Sequence, residues 1–425
     1  MPLYHPFLIL QVPFQYILQD VNLSMIRGII ETLSLPENLG RIKPSVSKKR
    51  CRYMKKVIVI GAGILGASTA YHLARAGAEV TVIDRQDPGQ ATDAAAGIIC
   101  PWLSQRRNKA WYALAKGGAA YYSSLIPMLE GDGERETGYA KVGALSLHTD
   151  EAKLGKMVER ALKRRGDAPE IGDIRQLSPS ETTRLFPPVS DEFSSVHVSG
   201  AARVDGRAMR RALLHAAEKH GARFVTASAE FLLKEGKVMG ARTDEGEYIA
   251  DEIIVTAGAW AAELFEPLNI KLNVTAQKGQ IVHLQLEECD TDEWPVIMPP
   301  SDQYILAFND GKIIVGTTHE NDKEFDTRIT AGGLQELLGK ALTSAPGLAD
   351  AAFTDARAGY RPYTPGFLPV IGSIPGHSNL LFANGLGASG LTVGPFLGEQ
   401  LAKMSLGLDL DIDLGLYPVE GAIEE

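Results

Sequence analysis

The spacing of apolar and polar residues changes period several times along the 425-residue chain. Val57-Ile-Val-Ile60 is a short unbroken apolar run ending at Gly61, the pattern of a strand buried on both faces of a parallel sheet. A helical period follows from Ile64 to about Ala76, with Leu65, Thr69 and Leu73 on one face and Gly77 placed to cap the C-terminus. Glu79 to Asp84 reads as a second strand and completes a βαβ unit. A second helix–strand pair spans Arg207 to His220, closed by Gly221, and then Arg223 to Thr226. Asp251 to Trp260 is another buried strand ending in a glycine turn. Short β segments then take over at Ile281–Leu286, Tyr304–Phe308 and Lys312–Gly316. Leu380–Asn384, a glycine-rich turn and a helix from Thr392 to Met404 close the pattern, and no internal repeat is seen.

These elements predict a mixed α/β fold, in which a Rossmann-like dinucleotide-binding domain carries an inserted, largely antiparallel β-sheet substrate domain. The dinucleotide domain is expected to be discontinuous, over 54–135, 198–268 and 353–420, with the substrate domain over 136–197 and 269–352. Residues 1–53 do not share the pattern and are expected to form a poorly ordered extension, with the folded unit beginning at Met54. The basic run from Arg41 to Arg52 reads as a solvated tail, as does the acidic C-terminus with Asp409, Asp411 and Asp413.

Composition narrows the class. Hydrophobic residues make up 45% and charged residues 22%, and the formal net charge of −9 counts against nucleic acid as a partner. Cys51, Cys100 and Cys289 include no CxxC pair, so neither a disulfide framework nor a metal site is expected, and a reducing, cytoplasmic location fits. Met1–Gln19 lacks the basic start of a signal peptide, and Val57–Ala74 is too rich in glycine and polar residues for a spanning helix. Peripheral membrane association and oligomeric state stay open.

Gly61-Ala-Gly63-Ile64-Leu65-Gly66 is G-x-G-x-x-G. Alone it signals little. Here it follows a strand, opens a helix and precedes Asp84 at the end of the next strand, the setting of a dinucleotide site. Gly61 permits the tight turn, Gly63 lets backbone approach a pyrophosphate at the helix N-terminus, and Gly66 lets helix pack on strand. Asp84 is suited to a ribose hydroxyl, and its charge disfavours a 2′-phosphate. The fingerprint does not separate NAD from FAD. The small-residue run Gly89–Pro101 suits backbone threaded along an extended ligand, though a packed helix start has the same composition.

With these motifs on the page, the chain resembles the family of FAD-dependent D-amino-acid oxidases and dehydrogenases, which includes glycine and sarcosine oxidases. The resemblance runs over about Lys55–Ala402. It rests on the fingerprint, Ile83-Asp84, Ala91–Gly97, Val255–Trp260, Ala358–Pro365 with Leu368–Gly372, and Gly385–Thr392. The whole looks most like the bacterial D-amino-acid dehydrogenase branch. The resemblance implies noncovalent FAD, contacted by Thr92, Ala96, Gly97, Ile98 and Gly258. A late turn of Leu386, Gly387, Ala388, Ser389, Gly390, Leu391 and Thr392 would wrap the isoalloxazine edge. It also implies that Arg361 pairs with a substrate carboxylate and that Tyr304 places a phenol beside the substrate; a packing role for Tyr304 is nearly as good a reading.

Two positions depart from relatives. Glycine oxidases carry a second Arg where this chain has Ala388, and no cysteine matches the flavin-linking one of monomeric sarcosine oxidases. His283 and His319 receive no role. The reaction implied is oxidation of the C–N bond of a small amino acid or secondary amine (a D-amino acid, glycine or sarcosine type) by hydride transfer to flavin N5, with the electron acceptor undetermined. The alternatives are an FAD-dependent 2-hydroxy-acid or proline-type imino-acid dehydrogenase, a flavin-binding subunit of a larger complex, and an NAD-dependent dehydrogenase, which would be colourless as isolated.

Overall fold

A computed structural model describes residues 54–321 and 325–424. The expectations for residues 1–53 lie outside the described residues.

Two sheets organise the chain. The first has six strands in the order Val370–Ile374, His377–Asn384, Glu252–Val255, Lys56–Ile60, Glu79–Ile83 and Arg223–Val225. All its pairings are parallel except that between the first two strands. The apolar run explains why this sheet lies between layers. Val57 and Val59 join a core with the helices Ile64–Arg75, Lys109–Gly131, Gly206–Lys219 and Gly390–Leu406. Ile58 and Ile60 point the other way, toward Phe231, Val238 and Ala241 of an antiparallel three-stranded sheet formed by Glu230–Lys234, Lys237–Thr243 and Gly246–Ile249. Alternate side chains of one strand thus serve two cores.

The second sheet has eight strands, in the order Ala352–Tyr363, Thr275–Gln285, Lys312–Gly316, Tyr304–Ala307, Val296–Met298, Ala144–His148, Ser194–Val198 and Ile174–Leu177. It is antiparallel but for the pairing of Val296–Met298 with Ala144–His148. The helix Ala331–Ser344 packs on one face through Leu337 and Ala341. The α/β framework with a largely antiparallel second sheet is therefore present as expected. One reading needs correction: the acidic tail is not simply solvated, because Asp411 accepts from Gln400 Nε2 at 3.0 Å and pairs with Lys403.

The sheets meet at one point that matters for the site. Tyr360 N–H donates to Gly89 O at 2.9 Å, and Gln90 and Tyr360 form an isolated parallel bridge. The edge strand Ala352–Tyr363 of the second sheet is thereby fastened to the turn that follows Glu79–Ile83 of the first.

Candidate active site

A cavity of about 510 Å³ runs from the glycine turn of the first sheet to the open face of the second. At the first end the strand Lys56–Ile60 stops at Gly61, whose φ of +101° is a conformation that glycine adopts without a steric penalty. A Cβ there would lie 2.7 Å from Thr256 O and 2.8 Å from its carbonyl carbon. The helix Ile64–Arg75 starts at Gly63 with no side-chain cap, so its first N–H groups face the cavity, apart from Ile64 N–H, which donates to Thr92 Oγ1 at 3.0 Å. The Asp84 carboxylate lines the same end. It accepts from Ala62 N–H at 2.6 Å, Gln86 N–H at 2.6 Å and Gln90 Nε2 at 2.9 Å.

The middle is lined by Thr92, Ala96, Gly97, Ile98 and Gly258. Gly97 has φ +93°, and a Cβ would sit 1.7 Å from Val204 O, so only glycine lets this run lie flat along the cavity. Beside it, Leu386, Gly387, Ala388, Gly390, Leu391 and Thr392 line the wall, with Thr392 Oγ1 donating to Ile98 O at 2.9 Å, and the helix Gly390–Leu406 begins there with no side-chain cap. Two uncapped helix starts thus face one elongated space, an arrangement that favours a ligand with negative charge at two separated points.

At the far end Arg361 and Tyr304 come together across one sheet, on strands separated by Thr275–Gln285 and Lys312–Gly316. Arg361 Nη1 donates to Gln277 Oε1 at 3.1 Å and Thr318 O at 3.3 Å, and Nη2 donates to Thr317 Oγ1 at 2.6 Å. Among the described residues it has no carboxylate partner. Its guanidinium lies directly over Gly279, where a Cβ would come within 2.4 Å of Nη2. The Tyr304 ring lies over Gly316 in the same way, with a Cβ 2.5 Å from Cε2. Each glycine therefore clears the space that its neighbour's side chain fills. Burial raises the Tyr304 phenol above its ordinary range, opposed in part by Arg361 and Thr317, so it remains an O–H donor at neutral pH.

Of the residues expected from the sequence, Gly66 and Ser389 do not line the cavity. Gly66 serves packing, since a Cβ would meet Gly61 O at 1.8 Å. The Ser389 hydroxyl instead accepts from Trp111 Nε1 at 3.0 Å. The sequence reading missed Gly279, Thr317, Asp302, His319, Trp260 and Asn384, all of which line the cavity. A lone glycine inside the strand Thr275–Gln285 was a signal of close approach that could have been read. Nothing local marked the others.

The residues present fit a flavin dinucleotide: the glycine turn, the uncapped helix starts and the thin wall at Gly97 form a cradle as long as the cavity. The fold and the site define a dinucleotide-dependent oxidoreductase. The chain belongs to the DAO family of FAD dependent oxidoreductases, whose model matches residues 56–404. It is 62% identical over 371 residues to the uncharacterized oxidoreductase YurR of Bacillus subtilis, covering 87% of this chain and 100% of that one. The crystal structure of iminodiacetate oxidase from Chelativorans sp. BNC1 superposes with a TM-score of 0.83 at 46% identity, over 85% of this chain and 98% of that one. Glycine oxidase of Pseudomonas aeruginosa is 29% identical over 374 residues, 87% of this chain and 100% of its own. FAD is the cofactor, which removes the NAD-dependent alternative, and no helix among the described residues is long and apolar enough to cross a membrane.

Proposed function

We propose that this enzyme oxidises the C–N bond of a small amino acid or secondary amine that carries a carboxylate. The observation that supports this most is the Arg361 guanidinium: it faces the cavity and is held in place by neutral groups only among the described residues. A planar fork with an uncompensated charge is suited to a bidentate carboxylate. Tyr304, which lines the same end of the cavity, offers its hydroxyl to the same anion. Iminodiacetate, a secondary amine with a carboxylate on each arm, names the 46%-identical relative and agrees with this class.

FAD, when bound, supplies the acceptor for the two electrons of the C–H bond. The protein's part is placement. Arg361 fixes one end of the substrate, and the strand carrying it is bonded to the turn beside the dinucleotide motif through Tyr360 N–H and Gly89 O at 2.9 Å. Such positioning contributes to rate because the reacting atoms need not find one another in solution. Carried over from the motif, Gly61, Gly63, Asp84, Thr92, Gly97 and the Leu386–Thr392 turn hold the cofactor noncovalently.

The experiment is anaerobic. Glycine, sarcosine, iminodiacetate, D-alanine, D-proline and lactate are added in turn to the purified holoenzyme, and the flavin band is followed. Bleaching by an amine carrying a carboxylate is expected. Bleaching by lactate alone would transfer the reading to hydroxy acids, and a flavin that none of them bleaches would overturn it.

A further inference from the structure

Oxidising an amine in this way requires the nitrogen lone pair, yet amino acids reach neutral solution as ammonium ions. Some group must therefore take a proton at the substrate end of the cavity. The ionisable groups there are few. The Arg361 guanidinium has no lone pair to offer. Tyr304 stays a protonated phenol. Tyr360, which also lines the cavity, stays a protonated phenol because burial raises it to about 12, which leaves Asp302 and His319.

Their surroundings assign them different parts. Asp302 is held by Lys340, whose Nζ donates to Oδ1 at 2.9 Å, and its other oxygen, Oδ2, stands 3.5 Å from His319 Nδ1. The Lys340 ammonium and His319 keep this carboxyl below its ordinary range despite some burial, so it is a fixed anion and a poor base. His319 is different. Its side chain is 38% exposed, facing the cavity, and its Nε2 has no partner among the described residues. Burial, then the Arg361 charge and more weakly Lys340, hold the imidazole below the usual histidine range, while Asp302 and Glu336 oppose this. It is therefore neutral at pH 7, with a free ring nitrogen on one side and a carboxylate on the other.

We propose that His319 accepts the ammonium proton of the bound substrate through Nε2, with Asp302 as the positioning residue behind it. One N–H bond of the substrate breaks and one Nε2–H bond forms. The positive charge passes from the substrate to an imidazolium that faces Asp302, and the substrate nitrogen keeps its electron pair. No oxidant is consumed in this step. The arrangement also suits sequence in time. Arg361 disfavours a charged imidazole in the empty site, but a carboxylate bound to Arg361 offsets that charge, so His319 becomes a better base when substrate arrives.

This inference rests on the amine reading above, and the test separates the two. In anaerobic rapid mixing of holoenzyme with sarcosine, the rate of flavin bleaching is measured against pH. His319→Gln, which keeps size and hydrogen bonding but is not basic, should move the acid limb upward by about one pH unit or more, roughly a tenfold loss on that limb. The high-pH plateau should stay within about threefold, because deprotonated substrate then arrives from solution. Imidazole added to His319→Ala should restore part of the low-pH rate. Asp302→Asn should shift the limb in the same direction by less. A second readout needs no turnover. In dithionite-reduced holoenzyme, the ring resonance of His319, assigned by its loss in the Gln variant, should become protonated at pH 8 with sarcosine and stay neutral with acetate. A pH profile superimposable on that of the native enzyme, a loss equal at every pH, or a ring that stays neutral with sarcosine would each overturn the assignment. A native flavin that no amine bleaches would instead overturn the amine reading.

Discussion

Gly279→Ala puts a single methyl group where the carboxylate anchor lies. The Cβ would stand 2.4, 2.7 and 2.9 Å from Arg361 Nη2, Cζ and Nη1, all inside contact distance. Gly279 does not have a left-handed φ, so alanine suits its backbone. The clash falls on the far end of a flexible side chain, and the guanidinium can escape by moving on the order of 1 Å. That movement is cheap for the fold and expensive for the ligand. Stability should change by about 1 kcal/mol or less, in the range of a strain-free glycine-to-alanine exchange. Carboxylate binding should lose one of its two charge-assisted hydrogen bonds, about 1.5–3 kcal/mol, or about 10- to 150-fold in affinity. The assay is a spectral titration of the bound flavin with acetate and with sarcosine, beside a thermal melt with saturating FAD. Arg361→Met removes both bonds and should lose more, and the double variant should lose little more than Arg361→Met alone, because the two substitutions act on the same contact. An affinity within about twofold of the native value would refute the placement of the anchor. A melting point lowered by about 10 °C or more would show that the glycine is needed for the strand itself.

Gly61→Ala should behave in the opposite way: φ is +101° and the Cβ would meet the backbone of Thr256 and Ala257 at 2.7–2.9 Å, so a loss of roughly 3 kcal/mol or more in chemical denaturation is expected, together with weaker FAD retention on gel filtration. Tyr304→Phe removes the hydroxyl shared with Thr317 and Arg361, and should lower kcat/KM by about tenfold with the flavin spectrum and the melt unchanged. His72 gives the pH dependence of stability: burial, then Arg75 and Lys403, lower it to about 3 in the folded chain. The stability its neutral form contributes is complete above the unfolded value of about 6.5 and drains away as pH falls toward the folded value. The unfolding free energy from urea titrations should therefore drop between these limits by up to about 1.4 kcal/mol per pH unit from this group, and His72→Phe should flatten the slope; an unchanged slope would contradict the buried neutral ring.

The parts of the fold that could be read from the chain are those whose cause is local. The run Val57–Ile60, the glycines at 61, 63 and 66 and Asp84 lie within one βαβ unit, and each signal falls beside the next. Arg361 was legible as a motif but not as part of a strand. The first part of Ala352–Tyr363 is exposed, and among the described strands its ladder partner is Thr275–Gln285, far upstream. The helix Lys109–Gly131 was not read, being rich in alanine and glycine with Pro127 inside it and weakly amphipathic. His319 and Asp302 had no local mark, and the lone Gly279 signalled close approach without saying of what, because their meaning comes from register. Gly279 pairs with Gly359, two residues from Arg361, and Tyr304 pairs with Gly316. Only the assembled sheet shows which side chain lies over which glycine.

The same register explains how two ends of a long cavity come to act on one substrate. Arg361 is one residue from Tyr360, whose N–H is bonded to Gly89 O at 2.9 Å. Gly359, on the other side, would carry a Cβ 2.7 Å from that of Ala94, so a side chain there would push the strand away from the small-residue wall. Gln90, the bridging partner of Tyr360, also donates to Asp84 at the opposite end of the cradle. The strand that carries the anchor and the turn beside the dinucleotide motif are thus joined by main chain. Reaction geometry that depends on distances of about 3 Å is best held in this way, because a 1 Å error costs on the order of a hundredfold in rate. Substrate choice can then vary through the loops carrying Asp302 and His319 without disturbing the distance from anchor to cofactor.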